Sequence, residues 1–211
     1  MQAQSIIDLI NSITNDTGNV TYPLSEVILA INDAQRLVCV YRPDANSSTS
    51  NFSLSAGTKQ VLPSTARRLL GIVRNMGVDG NTSGSAIRFS VSFDDLNLFD
   101  PDWHNEIGSE VLEYTYDESR PDEFFITPGV TPPFYIEIKT TDNTIDIVSG
   151  SSDIEVNASY APCLVSWACY RLFSRDGTES PNYARGESHK QTVFDILGIK
   201  SQADAQVSPN K

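Results

Sequence analysis

The stretch VILAINDAQRLVCVYRPDANSSTSNFS, residues 27–53, contains the change of pattern that decides the fold. Up to Tyr41, apolar residues recur every three or four positions, which predicts an amphipathic helix. Pro43 disfavours a helical residue before it, so we expect the helix to end there. The polar run at residues 45–51 indicates a surface linker. A helical part of the chain therefore gives way to a different kind of structure at this point.

Residues 52–149 predict several short strands. Apolar and polar residues alternate there, as in strands with one buried and one solvated face. The apolar members of three such runs are Ile87, Phe89 and Val91, then Leu112, Tyr114 and Tyr116, and last Phe134, Ile136 and Ile138. Turn sequences rich in Gly, Pro, Asp and Asn separate the runs. This spacing is typical of an antiparallel β-sandwich or small barrel.

Helical periodicity also occurs near both ends of the chain. An apolar stripe covers residues 5–13, and two further helices are predicted after residue 158, the last one ending at Gly198. No helix can bury its stripe alone, so we predict an α+β fold: a four-helix bundle with an inserted antiparallel β-sandwich or small barrel. The predicted domains are helical residues 1–44, β residues 45–153, helical residues 154–198 and a flexible tail at 199–211.

The composition excludes several classes of protein. The 211 residues carry a formal net charge of -12, so overall charge does not hold the chain on DNA or on anionic lipid. Its three cysteines lie in apolar helical stretches, which favours reduced core residues. The N-terminus has no signal-peptide pattern, and no apolar run approaches the length of a membrane helix. We therefore expect a soluble protein made inside the cell.

A search for catalytic motifs finds no nucleotide-binding, nucleophile or zinc-protease signature. The densest polar cluster is FDDLNLFDPDWHNE, residues 93–106. Its ionisable members are Asp94, Asp95, Asp100, Asp102, His104 and Glu106. Apolar residues interrupt the spacing of a calcium loop, and one loop rarely supplies two carboxylates across a sugar cleft. We interpret the acids as capping and turn residues around a packed Trp103, and we predict no enzyme activity, no metal and no cofactor.

Two other groups have alternative interpretations. The first contains Arg67, Arg68, Arg74 and Arg88, which form either a patch for a partner or a nucleic acid, or the solvated face of a sheet balanced by acids. The second contains Tyr114, Tyr116, Phe124, Phe125, Phe134 and Tyr135, which form either a stacking platform for single strands or sheet core. The negative net charge and the alternation with polar residues favour the sheet in both cases.

A resemblance to a known family runs through most of the chain. In order, the segments that carry it are INDAQRLVCVYRPDA at 31–45, AGTKQVLP at 56–63, RRLLGIVRNMGVDG at 67–80, SAIRF at 85–89, FDPDWH at 99–104, YDESRPDEFFITPGV at 116–130, YIEI at 135–138 and CYRLFSRD at 169–176. This pattern is similar to the head-to-tail adaptor proteins of short-tailed bacteriophages, the group related to tail tubular protein A. The resemblance rests on the order of the segments and on how much of the chain they cover, because none of them is a catalytic signature.

The resemblance implies a structural role in the virion. Adaptors of this kind form a dodecameric ring beneath the portal protein, continue the DNA channel, and dock the tail nozzle and fibres. The implied site of assembly is the host cytoplasm. We expect DNA to pass without specific binding, because acidic walls do not trap phosphates, and we expect no contact with a membrane.

From this role we predict two sets of interface residues. The segment 199–211 is expected to dock on the portal, with Ile199 and Val207 as apolar anchors and Lys200 and Lys211 beside them. Candidate contacts between subunits are Asp33, Arg36, Arg42, Arg185, Glu187 and Lys190. Two rival functions are a free-standing β-domain that binds a ligand and, with less support, a virion-associated cell-wall hydrolase that uses the cluster at residues 94–106.

Overall fold

Two compact units make up the chain. The first combines Met1–Asn46 with the chain from Thr144 onward, and the second is Ser47–Asn143. The computed structural model describes residues 1–90, 92–176 and 180–207, with side chains for all but residue 176 and residues 199–207. In that part of the chain there are five α-helices and two β-sheets, so the predicted α+β class is confirmed.

The α-helices and strands alternate in blocks along the chain. In order they are α1 (Ala3–Thr14), α2 (Leu24–Tyr41), β1 (Ser47–Ser53), β2 (Gly57–Val61), β3 (Ala66–Gly77), β4 (Arg88–Phe89), α3 (Phe93–Phe99), β5 (Glu113–Tyr116), β6 (Glu123–Val130), β7 (Tyr135–Asp142), α4 (Ala161–Phe173) and α5 (Pro181–Val207). The first unit therefore contains α1, α2, α4 and α5, and we call it the helical unit. The second contains the strands and α3, and we call it the β unit.

Helix α4 is the central element of the helical unit. It packs against α1, α2 and α5, and its residues Cys163, Leu164, Ala168 and Leu172 are buried. Pro162 lies in its first turn, where the missing N–H removes no intrahelical hydrogen bond. Because α4 has neighbours on several sides, it is apolar around most of its circumference.

The three cysteines are buried and unoxidised, as predicted. Cys163 and Cys169 lie on α4, and Cys39 lies near the end of α2. Burial raises the pKa of the Cys169 thiol to about 12, so this residue stays neutral and behaves as a small apolar side chain.

Helix α5 extends further than the sequence predicts. We expected Gly198 to end it, but the helical backbone continues through Gly198 to Val207. One glycine costs only about 1 kcal/mol relative to alanine inside a helix, and the residues that follow include good helix formers such as alanine, glutamine and lysine. Positions 199–207 of the predicted tail therefore have helical backbone, and residues 208–211 lie outside the described part of the chain.

The β unit consists of a three-stranded and a four-stranded sheet. Their strand orders are β1-β7-β3 and β2-β6-β5-β4, and every pair is antiparallel except β4 with β5. Leu69 and Ile72 of β3 belong to the same core as Phe124 and Ile126 of β6. No closed barrel exists among the described residues, so the small-barrel alternative is wrong.

The predicted strand faces are correct in only part of the β unit. Phe134, Ile136 and Ile138 are all buried, as the alternation predicts. Phe89 instead has 61% of its surface exposed, because β4 has only two residues and leads directly towards α3. Leu112 is also exposed and lies just before β5. Val91 lies outside the described residues.

Residues 144–153 pack with the helices, although the sequence analysis placed them in the β region. Ile147 and Ile154 are buried in the helical core. The segment is also joined to the N-terminus, since Ala3 N donates to Ser152 O at 2.9 Å and Ile154 N to Met1 O at 2.7 Å. Its polar composition conceals the buried Ile147, and Ile154 follows directly after the segment.

Candidate interaction surfaces

Asp33 and Arg36 on α2 both have partners within the helical unit. Asp33 Oδ2 accepts a hydrogen bond from Trp167 Nε1 at 3.1 Å and lies 3.2 Å from Arg171 Nε. Arg36 forms an ion pair with Asp146, and about half of each side chain is exposed. Both predicted contact residues are thus accessible at the surface, while each also joins α2 to a neighbouring segment.

Arg42 does not lie on an exposed helix face, contrary to the prediction. Only 8% of its surface is exposed, and its Nε and Nη2 atoms lie 3.1 and 3.2 Å from the Asp44 carboxylate oxygens. Arg42 is the C-terminal cap of α2, and a 3₁₀ turn at Pro43–Asn46 follows it. The Asp44 carboxylate raises the pKa of the Arg42 guanidinium. Arg42 therefore stabilises the end of α2 and is a poor candidate for a subunit contact.

The candidates on α5 lie beside the other helices. Arg185 Nη2 donates to the carbonyl of Ile13 at 3.2 Å, and its guanidinium lies 4.6 Å from the centre of the Phe173 ring. Lys190 Nζ lies 3.3 Å from a Glu187 oxygen, and the same carboxylate raises the pKa of Lys190. Arg185 thus links α5 to both α1 and α4, which the spacing of charges in the sequence did not reveal.

The predicted portal-docking residues fall at the end of the described chain. Helix α5 includes positions 199, 200 and 207, but the side chains of Ile199, Lys200 and Val207 lie outside the described residues. Lys211 also lies outside them.

In the acidic segment at residues 93–106, Asp95 takes part in the cap of α3 and Trp103 is packed, as predicted. Ser92 caps α3: its Oγ accepts from Asp95 N at 3.2 Å and donates to Asp95 Oδ2 at 2.7 Å. Trp103 is fully buried, and the exposed His104 stacks on it with ring centres 3.7 Å apart. His104 Nδ1 lies 3.1 Å from Thr58 Oγ1. Within the described residues, no group of three His, Cys, Asp or Glu side chains could hold a metal ion.

Two of the three arginines of β3 are balanced by acids, as the sheet interpretation predicts. Arg74 Nε lies 2.8 Å from Glu137 Oε2 on the adjacent strand β7, and Arg68 Nη2 lies 3.2 Å from Glu118 Oε1. The six aromatic residues divide into two groups. Phe124, Phe134 and Tyr114 are buried, whereas Tyr116, Phe125 and Tyr135 remain partly exposed. Sheet core is therefore correct for half of them.

The β unit also has a cavity of about 430 Å³ that the sequence analysis missed. Its lining consists of Phe89, Ser92, Phe93, Asp94, Tyr116, Asp117, Glu118 and Arg120. The alternation of apolar and polar residues predicts Phe89 and Tyr116 on the buried faces of strands, whereas both line this cavity. Exposed apolar residues continue near the end of α3, where Leu98 and Phe99 have 74% and 77% of their surfaces exposed.

The comparison that identifies the chain covers its full length. The sequence profile of the SU10 adaptor protein family matches residues 1–211. The chain belongs to this family. No curated protein matches the chain significantly.

Membership of the SU10 adaptor family fixes the general role. The protein is a structural adaptor of a phage, its place is in the virion, and it interacts with other virion proteins. The predicted phage adaptor is confirmed at this level. The family is structural and not enzymatic. None of the described helices is long and apolar enough to cross a membrane.

Proposed function

We propose that this SU10-family adaptor forms a ring of twelve subunits around the DNA channel beneath the portal of a short-tailed phage, and docks the tail nozzle and fibres on its other side. The observation that carries the proposal is the family match over residues 1–211. The ordered segments between residues 31 and 176 that resemble tail tubular protein A support the finer assignment. In the ring, the helical unit acts as a four-helix bundle and the β unit as a sandwich-like insertion.

The charge of the chain supports a channel for DNA. A net charge of -12 per subunit disfavours phosphate binding, so DNA slides past without releasing counterions to the wall. Lysine substitutions at the acids that line the channel are expected to slow genome ejection. Unchanged ejection rates in such particles would contradict this part of the proposal.

The C-terminal segment 199–211 is proposed to dock on the portal. Because α5 is helical to Val207, docking involves the end of a helix and not only a chain that folds on contact. Deleting residues 199–211 is expected to abolish binding to purified portal, whereas deleting only 208–211 keeps Ile199 and Val207 and retains binding. Full binding by the longer deletion would exclude this docking site.

Contacts between neighbouring subunits are proposed for the exposed and partly exposed charges on α2 and α5. Asp33, Arg36, Arg185, Glu187 and Lys190 remain candidates, whereas Arg42 is buried. A heterologous contact that closes into a ring needs two different surfaces on each subunit, and α2 and α5 supply two such surfaces.

The decisive experiment is to isolate a tagged copy of the protein from infected cells and determine the mass and composition of the complex. Twelve chains of 23.2 kDa amount to roughly 280 kDa before the portal is added. We expect portal protein at matching stoichiometry in the purified particle. A lone chain that stays monomeric when purified portal is added would exclude the ring and favour a free-standing binding module.

A further inference from the structure

The cavity of the β unit lies beside the start of α3 and the end of β5. Three aromatic side chains contribute to its lining, namely Phe89, Phe93 and Tyr116. Phe89 is 61% exposed and is held edge-on against Tyr114, with ring centres 5.3 Å apart. An aromatic surface of this kind is accessible to a side chain of another protein, which distinguishes it from the buried core of the sheets.

The ring of Phe93 is held in place and already contacts a cation. It packs against Phe125 at 5.0 Å and against the buried Trp103 at 6.0 Å between ring centres. The guanidinium carbon of Arg120 lies 5.3 Å from the centre of the Phe93 ring. One face of the Phe93 ring is therefore already covered by a guanidinium of the same chain, and Phe89 and Tyr116 supply the other aromatic surface of the lining.

Acidic side chains outnumber basic ones in the lining. Asp94, Asp117 and Glu118 contribute three carboxylates, against the single cation of Arg120. Hydrogen bonds from the hydroxyl and backbone N–H of Ser119 lower the pKa of Asp117, which keeps this carboxylate ionised. Glu118 is paired with Arg68, and Asp117 Oδ2 lies 3.8 Å from Arg120 Nε, whereas Asp94 makes no ion pair or side-chain hydrogen bond within the described residues. The charge of the lining therefore favours an additional cation.

We propose that this cavity receives an arginine side chain presented by another virion protein. A guanidinium is planar, so it stacks on an aromatic ring while its N–H groups bind carboxylates at the edge, and lysine offers only the charge. The shape and charge of the cavity favour arginine by themselves. Only the identity of the partner as a virion protein rests on the proposed function.

A short peptide tests the proposal on the full-length protein. The probe is N-acetyl-Gly-Arg-Gly-amide, titrated into isotope-labelled protein and followed by amide chemical shifts. Saturable shifts are expected for the amides of Phe89, Phe93 and Tyr116. The same peptide with citrulline, which has nearly the same shape but no charge, is expected to bind about tenfold more weakly.

Three substitutions locate the binding, two in the lining and one control outside it. Asp94→Asn is expected to weaken the arginine peptide about fivefold by removing a carboxylate that lies in the lining. Asp102→Asn changes the net charge equally at an exposed residue outside the lining, and it is expected to leave the affinity unchanged. Phe93→Leu keeps an apolar side chain but removes the aromatic face, so it is expected to weaken binding without unfolding the β unit.

Three results would overturn the proposal. They are the absence of shifts at the cavity, equal binding of the arginine and citrulline peptides, and shifts of these amides by a neutral hexose in place of the peptide. None of these measurements involves the portal protein. A failure here is therefore distinguishable from a failure of the proposed ring, which depends on the mass of the isolated complex.

Discussion

The two units of this protein share one kind of contact, made by a buried asparagine, but its surroundings differ. In each, a buried asparagine binds both backbone groups of one residue in a segment that lies outside the regular elements. Asn32 in the helical unit donates to Ile147 O at 3.0 Å and accepts from Ile147 N at 2.9 Å. Asn75 in the β unit donates to Val111 O at 2.8 Å and accepts from Val111 N at 3.0 Å. Each asparagine amide thus replaces the pairing that a neighbouring strand would supply.

The surroundings of the two segments differ. Next to Val111, Leu112 N donates to Thr127 O and Leu112 O accepts from Arg88 N, so the backbone is held on both sides. Next to Ile147, the backbone N–H groups of Val148 and Ser149 donate to the side chain of Ser152, and the nearest backbone attachments that follow are Gly150 O and Ser152 O, which accept from Gln4 N and Ala3 N. The amide of Asn75 is therefore one of several attachments of the Val111 segment in the β unit. The amide of Asn32 is a principal attachment of the Ile147 segment in the helical unit.

Replacing Asn75 is expected to cost the most stability. In Asn75→Ala the N–H and C=O of Val111 lose their partners but cannot reach water, because the neighbouring strand bonds hold the segment. Each buried unsatisfied group costs about 1–3 kcal/mol, so we expect a loss of about 3–4 kcal/mol. The chain has two tryptophans, one in each unit, so Trp103 fluorescence during urea unfolding of a Trp167→Phe background follows the β unit.

Asn51→Ala is the matched control for this experiment. The Asn51 side chain makes one hydrogen bond, from Nδ2 to Gly80 O at 2.6 Å, and a loss of about 1 kcal/mol is expected. A loss at Asn75 no greater than the loss at Asn51 would contradict the role given to the neighbouring strand bonds.

Compared with the replacement of Asn75, replacing Asn32 is expected to lower the free energy of unfolding less and to accelerate local hydrogen exchange more. In Asn32→Ala the segment around Ile147 lifts away, so its freed backbone groups are hydrated and the cost is chiefly the lost burial of Ile147. We expect a loss of about 2 kcal/mol. Hydrogen exchange is expected to accelerate at the amides of Ile147 and Val148 and to stay slow at Ile154, which bonds to Met1 O. Equal acceleration at all three amides would indicate global unfolding and contradict the comparison.

The contrast also explains what could be predicted from the sequence. The helical stripe of α2 and the alternation at Phe134, Ile136 and Ile138 report burial directly, because periodicity follows from the geometry of each element. The roles of Asn32 and Asn75 depend on partners 115 and 36 positions away, and no local pattern marks them. For the same reason, residues 144–153 were assigned to the wrong structural neighbours.

The surfaces were harder to predict than the fold. Arg42 looked like an exposed charge because its position continues the polar face of α2, but Pro43 turns the chain and places Asp44 beside it. The cavity at Phe93 was missed because Phe89 fits an alternating strand pattern, whereas β4 ends after two residues. Both errors arise where an element ends, and periodicity carries no information about the direction of the chain beyond that point.

In the helical unit, the side chain of Asp16 holds the loop between α1 and α2, and this contact is sensitive to acid. The Asp16 carboxylate accepts hydrogen bonds from the backbone N–H groups of Val20, Thr21 and Tyr22, of which the bond from Tyr22 contributes most to lowering its pKa. Because the pKa is lower in the folded protein, the stabilisation is complete above the unfolded value of 3.8 and is lost as the pH falls through the folded value.

Asp16→Asn is therefore expected to lower the urea midpoint near neutral pH and to reduce the fall in the midpoint on acidification below pH about 4. Trp167 fluorescence in a Trp103→Phe background follows the helical unit. Asp79→Asn is the counterpart in the β unit, where hydrogen bonds from Asn81 and Thr82 lower the pKa of Asp79 in an exposed turn. An unchanged acid dependence in Asp16→Asn would contradict the role of this carboxylate.

Arg36 provides the smallest expected effect and the sharpest test of the comparison. Its ion pair with Asp146 joins α2 to the same segment that Asn32 holds, but about half of each side chain is in water. Exposed pairs contribute about 0–1 kcal/mol, so Arg36→Ala is expected to change the free energy of unfolding by no more than about 0.5 kcal/mol, and the exchange rate at Ile147 is expected to stay the same. If Arg36→Ala instead released the segment as Asn32→Ala does, the buried amide would not be its principal attachment. If the monomer is unchanged but the ring fails to form, the contribution of Arg36 lies in contacts between subunits, because an ion pair that adds little within one chain leaves a charge available to a neighbour.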